Sequence, residues 1–389
     1  MNILLYRYGS ICEPDMISTF QSLGISVVQI CEEITDKKLS AARRVELVSE
    51  GIQKNNPVFV FSINFFPAIA EICRIYKCPY FCWTVDSPVP ELFSKSVQYD
   101  TNRIFLFDRA QYECISEFNP SRTYHLPLAA ATERFDKVIE DATESERNKY
   151  TCDISFVGSL YSEKNPLQRM ILPDYEWGYI AGLTEASLQV YGCNFVEEAL
   201  TDSCVKAIKE NAPGFYGAED SLINTDRYVA AHSYVGYEIA QQERIRTLNA
   251  LAEQFAVDIY TWSDTQLLRK VKVHSGVQTL TEMPLVFNRS RINLNMTIKP
   301  IQTGLPLRVF DILGCGGFCM TNYQAELEEH FEIGRDLEAY GSLEELLDKC
   351  AYYLAHEEER ARIAQNGYQK VKNGHGYRDR VMEMLRLGV

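Results

Sequence analysis

Short apolar runs alternate along this chain with longer stretches in which apolar positions recur at helical spacing. That alternation predicts strands and helices in turn, and a parallel sheet. Asn2–Tyr6 reads as a strand, Gly9-Ser10 opens a turn, and Glu13-Pro14-Asp15 starts a helix. Strands are predicted at Ile25–Gln29, Pro57–Phe61, Pro79–Cys82, Arg103–Phe107 and Thr123–His125, with helices at Arg43–Lys54 and Pro67–Tyr76. The unbroken run Val58-Phe59-Val60-Phe61 is what a strand covered on both faces looks like. The charged stretch Asp136–Lys149 lacks an apolar stripe and reads as a surface linker.

The alternation then restarts with a strand at Asp153–Val157. Residues 165–230 show no clear strand and read as a mainly helical insertion. A long helix at Glu238–Phe255 carries Ile239, Ile245, Leu248, Leu251, Ala252 and Phe255 at helical spacing. Strands follow at Val257–Tyr260, Lys272–Val277, Arg291–Leu294 and Gly317–Met320, with helices at Leu305–Leu313 and Ala325–His330. The tail Ser342–Leu387 is helical except near Asn373-Gly374. These patterns predict an α/β protein of two facing Rossmann-like domains, 1–148 and 149–375, with the insertion at about 165–230 and a C-terminal helix at 376–389. In such sheets ligands sit at the carboxyl ends of the strands, so the cleft between domains is the expected site.

Length and composition agree with this reading, since 389 residues suggest two or three domains. A net charge of −14 argues against a general nucleic-acid binder, which needs a basic face, and offers no attraction to an anionic membrane. The 12 cysteines are scattered without a Cys-x-x-Cys; Cys78 with Cys82, and Cys315 with Cys319, lie in apolar runs and read as buried side chains rather than a metal site. Thiols without a framework suit a reducing cytosol. The N-terminal apolar run is too short for a signal peptide, and no run approaches the length of a membrane span. A cytoplasmic location is expected.

Candidate chemistry lies after two strands of the second part. In Phe156-Val157-Gly158-Ser159-Leu160-Tyr161-Ser162-Glu163-Lys164-Asn165 a strand runs into a glycine, which lets backbone approach an anion, and Lys164 supplies a point charge for phosphate. The bland reading is a plain turn with a solvated lysine. In the second segment, Ile292-Asn293-Leu294-Asn295-Met296-Thr297 runs into a polar loop, Thr303-Gly304 closes it, and Leu305-Pro306 begin a helix. That helix N-terminus is a ready anion site, Arg308 in its first turn can fork onto phosphate, and Asp311 on the same face can accept from ribose hydroxyls. The bland alternative is an Arg308–Asp311 salt bridge. Gly314-Cys315-Gly316-Gly317 permits close helix–strand packing.

The stretch from Asn293 to Arg380 resembles the spore-maturation glycosyltransferase-like (CgeB-like) group of the GT-B superfamily. The resemblance rests on RINLNMTIKPIQTGLPLRVFDILGCGGFCMTNYQAELEEHFEIG, AYYLAHEEERARIAQNG and HGYRDRVMEML. YHLPLAA, FVGSLYSEKN and EIAQQERIRTL are similar too. It implies a glycosyltransferase with a nucleotide-sugar donor, such as a UDP-sugar, held mainly by the second domain, and a C-terminal helix returning to the first. No separate cofactor is implied. By analogy with the large retaining families, Gly158 and Lys164 match the phosphate loop, with Ser159 where those families carry arginine. Thr303 and Asp311 stand where they carry paired glutamates, and Pro306, which lacks an N–H, replaces a glycine. The expected donor contacts are Gly158, Ser159, Asn295, Thr297, Thr303, Gly304, Leu305 and Asp311.

The first domain is expected to bring an acceptor hydroxyl. Trp83-Thr84-Val85-Asp86-Ser87-Pro88 follows a strand, so Asp86 is a candidate general base and Trp83 a candidate stacking platform; the bland reading is a helix N-cap and a core tryptophan. Tyr8-Gly9-Ser10 is a weaker candidate for close backbone approach. His125 and His274 read as structural. No Asp-x-Asp pair occurs, so Lys164, Arg308 and the helix dipole are expected to stabilise the leaving diphosphate without a metal. Two alternatives remain: a nucleotide-sugar epimerase, which needs more acid–base groups than Asp86, and an inactive sugar-nucleotide binder, suggested by Ser159 and Thr303.

Overall fold

The computed structural model describes residues 1–217 and 220–388. Ala218 and Glu219 of the expected insertion, and Val389 of the expected C-terminal helix, lie outside the described residues. The chain divides into two compact units. The first comprises Met1–Leu128 with the described parts of 218–225 and 377–389; the second comprises Ala129–Gly217 and Asp226–Gly376. The stretch 129–148 therefore falls in the second unit.

The first unit holds β1 (Asn2–Tyr6), β2 (Ser26–Ile30), β3 (Val60–Ile63), β4 (Tyr80–Trp83), β5 (Asn102–Leu106) and β6 (Thr123–His125). They form one six-stranded sheet in the order β2-β1-β3-β4-β5-β6. Every pairing is parallel. β3 and β4 are buried along their whole length, as the continuous apolar runs require. Phe59 stacks on Phe81 at 4.3 Å in this core. The helix Ala41–Asn55 begins where the Ser40 hydroxyl accepts from the Arg43 N–H, and ends at Asn56 in the left-handed region (φ 41°). The C-terminal helix Tyr377–Gly388 belongs to this unit. Tyr377 meets Trp83 edge-on at 5.9 Å, and the Gly388 carbonyl accepts from Arg103 Nε at 2.9 Å.

The second unit holds β7 (Cys152–Val157), β8 (Val257–Thr261), β9 (Lys272–Ser275), β10 (Ser290–Asn295), β11 (Cys319–Asn322) and β12 (Glu338–Tyr340). They form a second six-stranded sheet, ordered β12-β11-β10-β7-β8-β9 and again parallel throughout. β12 has only three residues, too few to show an alternation, and sequence reasoning missed it. The charged run read as a linker instead forms helices Thr132–Asp141 and Glu144–Lys149. Phe135 anchors the first by burial, and a Thr143–Glu146 capping box starts the second. The insertion forms helices Asp174–Leu188 and Asp202–Asn211 around an apolar core of its own that includes Ile180, Cys204, Ile208 and Val235. Gly317 lets the β11 entry pass close to its neighbours, since a Cβ there would lie 2.6 Å from the Phe287 carbonyl oxygen.

The strand orders locate a switch point in each sheet. In the first sheet the chain runs outward on either side of β1 and β3; in the second it does so at β7 and β10. At such switch points the loops leaving adjacent strands diverge and open a crevice at the carboxyl edge. The loops after β7 and β10 are the two segments singled out in the sequence.

Candidate functional site

In the second unit, Gly158 follows β7 and its N–H bonds the Tyr260 carbonyl at 3.2 Å. The Ser159 hydroxyl donates to Glu163 Oε1 (2.6 Å) and accepts from the Tyr161 N–H (2.7 Å), with Tyr161 in the left-handed region at φ 67°. Ser159 thus shapes its own turn. Lys164 is exposed, with its ammonium 5.2 Å from the Tyr161 ring. Buried Asn165 closes the loop by donating to Glu238 Oε2 (2.5 Å) and Gln241 Oε1 (2.8 Å).

After β10, Asn295 donates to Thr297 Oγ1 (3.0 Å) and Thr321 Oγ1 (2.8 Å). The Thr297 N–H donates to Asn322 Oδ1 at 2.7 Å. Both residues are buried, and the Asn295 side chain and the Thr297 backbone tie this loop to β11 from inside. Thr303 donates to Glu326 Oε1 at 2.7 Å, and its carbonyl accepts from the Glu326 N–H at 3.1 Å. Gly304 and Leu305 are buried, and Pro306 is the extended N-cap (φ −69°, ψ 156°) of the helix Leu307–Gly314. The first N–H groups of a helix have no partner within it and carry the positive end of its dipole. Arg308 lies in that turn with Nη1 3.3 Å from Asp311 Oδ2 and its guanidinium 5.2 Å from the Phe287 ring centre. The pair named as the bland alternative is therefore formed, with side-chain exposures of 25% for Arg308 and 8% for Asp311. Burial pulls the Arg308 pKa down and the charge of Asp311 opposes it; an arginine stays charged regardless.

Sequence reasoning missed Arg244, which stands with Arg246 in an otherwise ordinary stretch of the helix Gly236–Ala252. Its Nη1 donates to the Ser159 carbonyl (2.6 Å) and its Nη2 to the Met296 carbonyl (2.8 Å), joining the loops after β7 and β10. Trp262, 74% exposed just beyond β8, was also overlooked; a Cβ on Gly276 would overlap its indole ring.

In the first unit, buried Glu13 accepts from the N–H groups of Tyr8 (2.9 Å), Gly9 (3.0 Å) and Ser10 (3.1 Å), fixing the loop after β1. Asn64, at the end of β3 with φ 58°, accepts from the Val85 N–H at 3.0 Å. Its amide nitrogen donates to Tyr8 Oη (2.9 Å) and to Asp86 Oδ2 (2.7 Å). Asp86 is exposed at the carboxyl edge. Burial, and then the charge of Asp86, push the Tyr8 phenol pKa up, so it stays neutral. Trp83 lies in the core, its indole N–H donating to the Leu126 carbonyl at 3.2 Å, so the stacking role is ruled out and the core reading stands. His125 bonds the Phe107 carbonyl (3.3 Å), and His274 pairs with Asp258 (2.6 Å) against the Tyr260 ring.

The pair of parallel six-stranded sheets, each with its switch point, is the GT-B fold. Solved structures share it over nearly the whole chain. Sucrose-phosphate synthase from Thermosynechococcus elongatus superposes with TM-score 0.55 at 10% identity, covering 100% of this chain and 98% of that one. A glycosyltransferase from Rickettsia africae gives TM-score 0.53 at 9% identity, covering 99% and 97%. HepE of Anabaena in complex with UDP-glucose gives 0.51 at 11%, covering 99% and 98%. Residues 241–386 match a family described as glycosyl transferase-like. No curated protein sequence is significantly similar to the chain. Among the described residues, no helix is long and apolar enough to cross a membrane.

Proposed function

We propose that this protein is a hexosyltransferase-like enzyme of the CgeB-like group, moving a sugar from a nucleoside-diphosphate sugar to a hydroxyl acceptor in the cytoplasm. One observation carries the reading: the switch point of the second sheet is bordered by the Lys164 loop and by the helix N-terminus bearing Arg308. Those are the parts a diphosphate needs, a point charge, a planar fork and a helix dipole. The family match over 241–386 includes that helix, and HepE, of the same fold, was solved with UDP-glucose.

In the reaction the bond from the anomeric carbon to the donor's phosphate oxygen breaks, and a bond from that carbon to the acceptor oxygen forms. The acceptor proton passes to Asp86, and the nucleoside diphosphate leaves with the electron pair. Lys164 and Arg308 neutralise the charge that develops on the leaving diphosphate, without need of a divalent ion; such preorganised charges are worth most where water is excluded. Gly158, Gly304 and Leu305 bring backbone to the donor.

A thermal-shift screen against UDP, GDP, CDP, ADP and dTDP, with and without magnesium, tests this, because a ligand bound only by the folded protein raises its apparent stability. A shift with one diphosphate that needs no magnesium, followed by nucleotide release from the matching sugar donor, is expected. Binding without release under any acceptor would leave a sugar-nucleotide binder, and no shift with any nucleotide would sink the reading.

A further inference from the structure

Arg244 enters the second unit's switch point from a helix that contributes none of the expected donor contacts. Its forked donation to Ser159 and Met296 joins the loops that leave β7 and β10, the two strands flanking the crevice. The guanidinium lies 5.3 Å from the Phe156 ring centre and 4.7 Å from that of Tyr161, so its plane is held by aromatic contacts as well. The hydrogen-bond acceptors are neutral carbonyls rather than a carboxylate, and the buried Nε–H has no partner. Burial pulls the Arg244 pKa down, Tyr161 and the Glu243 carboxyl oppose it, and the charge of Arg308 adds to the lowering. Two like charges near one another in a partly buried site repel, and an anion between them relieves that repulsion.

We propose that Arg244 belongs to the diphosphate site, holding the two loops in register and supplying a fixed positive charge beside Arg308. It thereby supplies the charge that Ser159, a neutral residue, does not. This rests on the nucleoside-diphosphate reading above. It assigns Arg244 a role toward the ligand's phosphates and none toward its base.

The test compares UDP with uridine by calorimetric titration of the full chain, for wild type, Arg244→Gln and Arg244→Lys; the diphosphate and nucleoside of the screen's best base replace these if another base wins. Arg244→Gln is expected to weaken UDP at least tenfold while leaving uridine affinity within twofold. Arg244→Lys keeps the charge but cannot bridge both carbonyls, and is expected to lose several-fold less. UDP affinity should also fall less steeply with added salt in Arg244→Gln. Equal losses for UDP and uridine would make Arg244 a merely structural clamp and overturn the proposal, as would unchanged UDP binding. Should Arg244→Gln fail to fold, Arg244→Lys decides alone: a UDP-selective loss supports the proposal, and unchanged or unselective binding overturns it. A wild type that binds none of the diphosphates refutes the parent reading instead, a result recognisable before any variant is made.

Discussion

The Arg308–Asp311 pair is both a structural ion pair and a candidate phosphate contact, and the two roles separate by experiment. Replacing Arg308 with glutamine removes the positive charge 3.3 Å from the Asp311 carboxylate, which is only 8% exposed. Breaking a fully buried pair costs about 3–5 kcal/mol and an exposed one about 0–1. Water reaches a quarter of the Arg308 side chain, so an intermediate loss of about 2 kcal/mol is expected for Arg308→Gln. The double variant Arg308→Gln, Asp311→Asn removes both charges at nearly constant volume and should recover most of that stability, since a neutral amide pair leaves no uncompensated charge. Binding should not recover. A charge-assisted hydrogen bond to phosphate is worth about 1.5–3 kcal/mol, or roughly 10- to 150-fold in affinity. Urea denaturation measures the first quantity and nucleoside-diphosphate titration the second. If the double variant binds the diphosphate as wild type does, Arg308 serves only the fold and the phosphate assignment is refuted.

Other predictions follow from the same geometry. Asp86→Asn should lower kcat by about a hundredfold, with the diphosphate Kd unchanged, because a general base contributes about 10²–10⁴ to rate; a parallel loss of nucleotide binding would contradict the assignment. Asn64→Ala frees Asp86 and Tyr8 together and should lower kcat while glycosyl-donor affinity holds, which steady-state kinetics would separate. Burial raises the Glu243 pKa above its ordinary value, with Lys299 and Arg244 opposing. The folded state then holds that proton more tightly than the unfolded one, so the group carries no penalty below its ordinary pKa and loses stability as pH rises through the folded value. Glu243→Gln should therefore be more stable than wild type at about pH 8 and equal to it at about pH 4 in urea midpoints. Gly317→Ala should destabilise by about 1–3 kcal/mol, because the new methyl would sit 2.6 Å from the Phe287 carbonyl oxygen.

The apolar periodicities by themselves determined most of the architecture. The continuous run Val58–Phe61 announced a strand covered on both faces, and the alternation of short apolar runs with amphipathic helices implied parallel sheets. The glycine and proline punctuation at Gly158 and at Thr303–Pro306 located the loops after β7 and β10, and Arg308 at the start of its helix was legible from that punctuation alone. What the pattern could not carry was short or long-range. The three residues of β12 are fewer than one period of evidence, and the 136–149 helices depend on a buried Phe135 and a capping box rather than on a stripe. Tertiary structure alone decided which polar side chains turn inward. Asn295 and Thr297 satisfy each other, Thr321 and Asn322 within the sheet, because polar groups buried there must find partners. It also decided that Trp83 fills the core, that Asn64 holds Asp86 across 22 positions of sequence, and that Arg244 reaches Ser159 across 85. A one-dimensional pattern records which residues share a helix or strand face; which loops meet at a sheet's switch point depends on strand order, and strand order exists only once the sheet has formed.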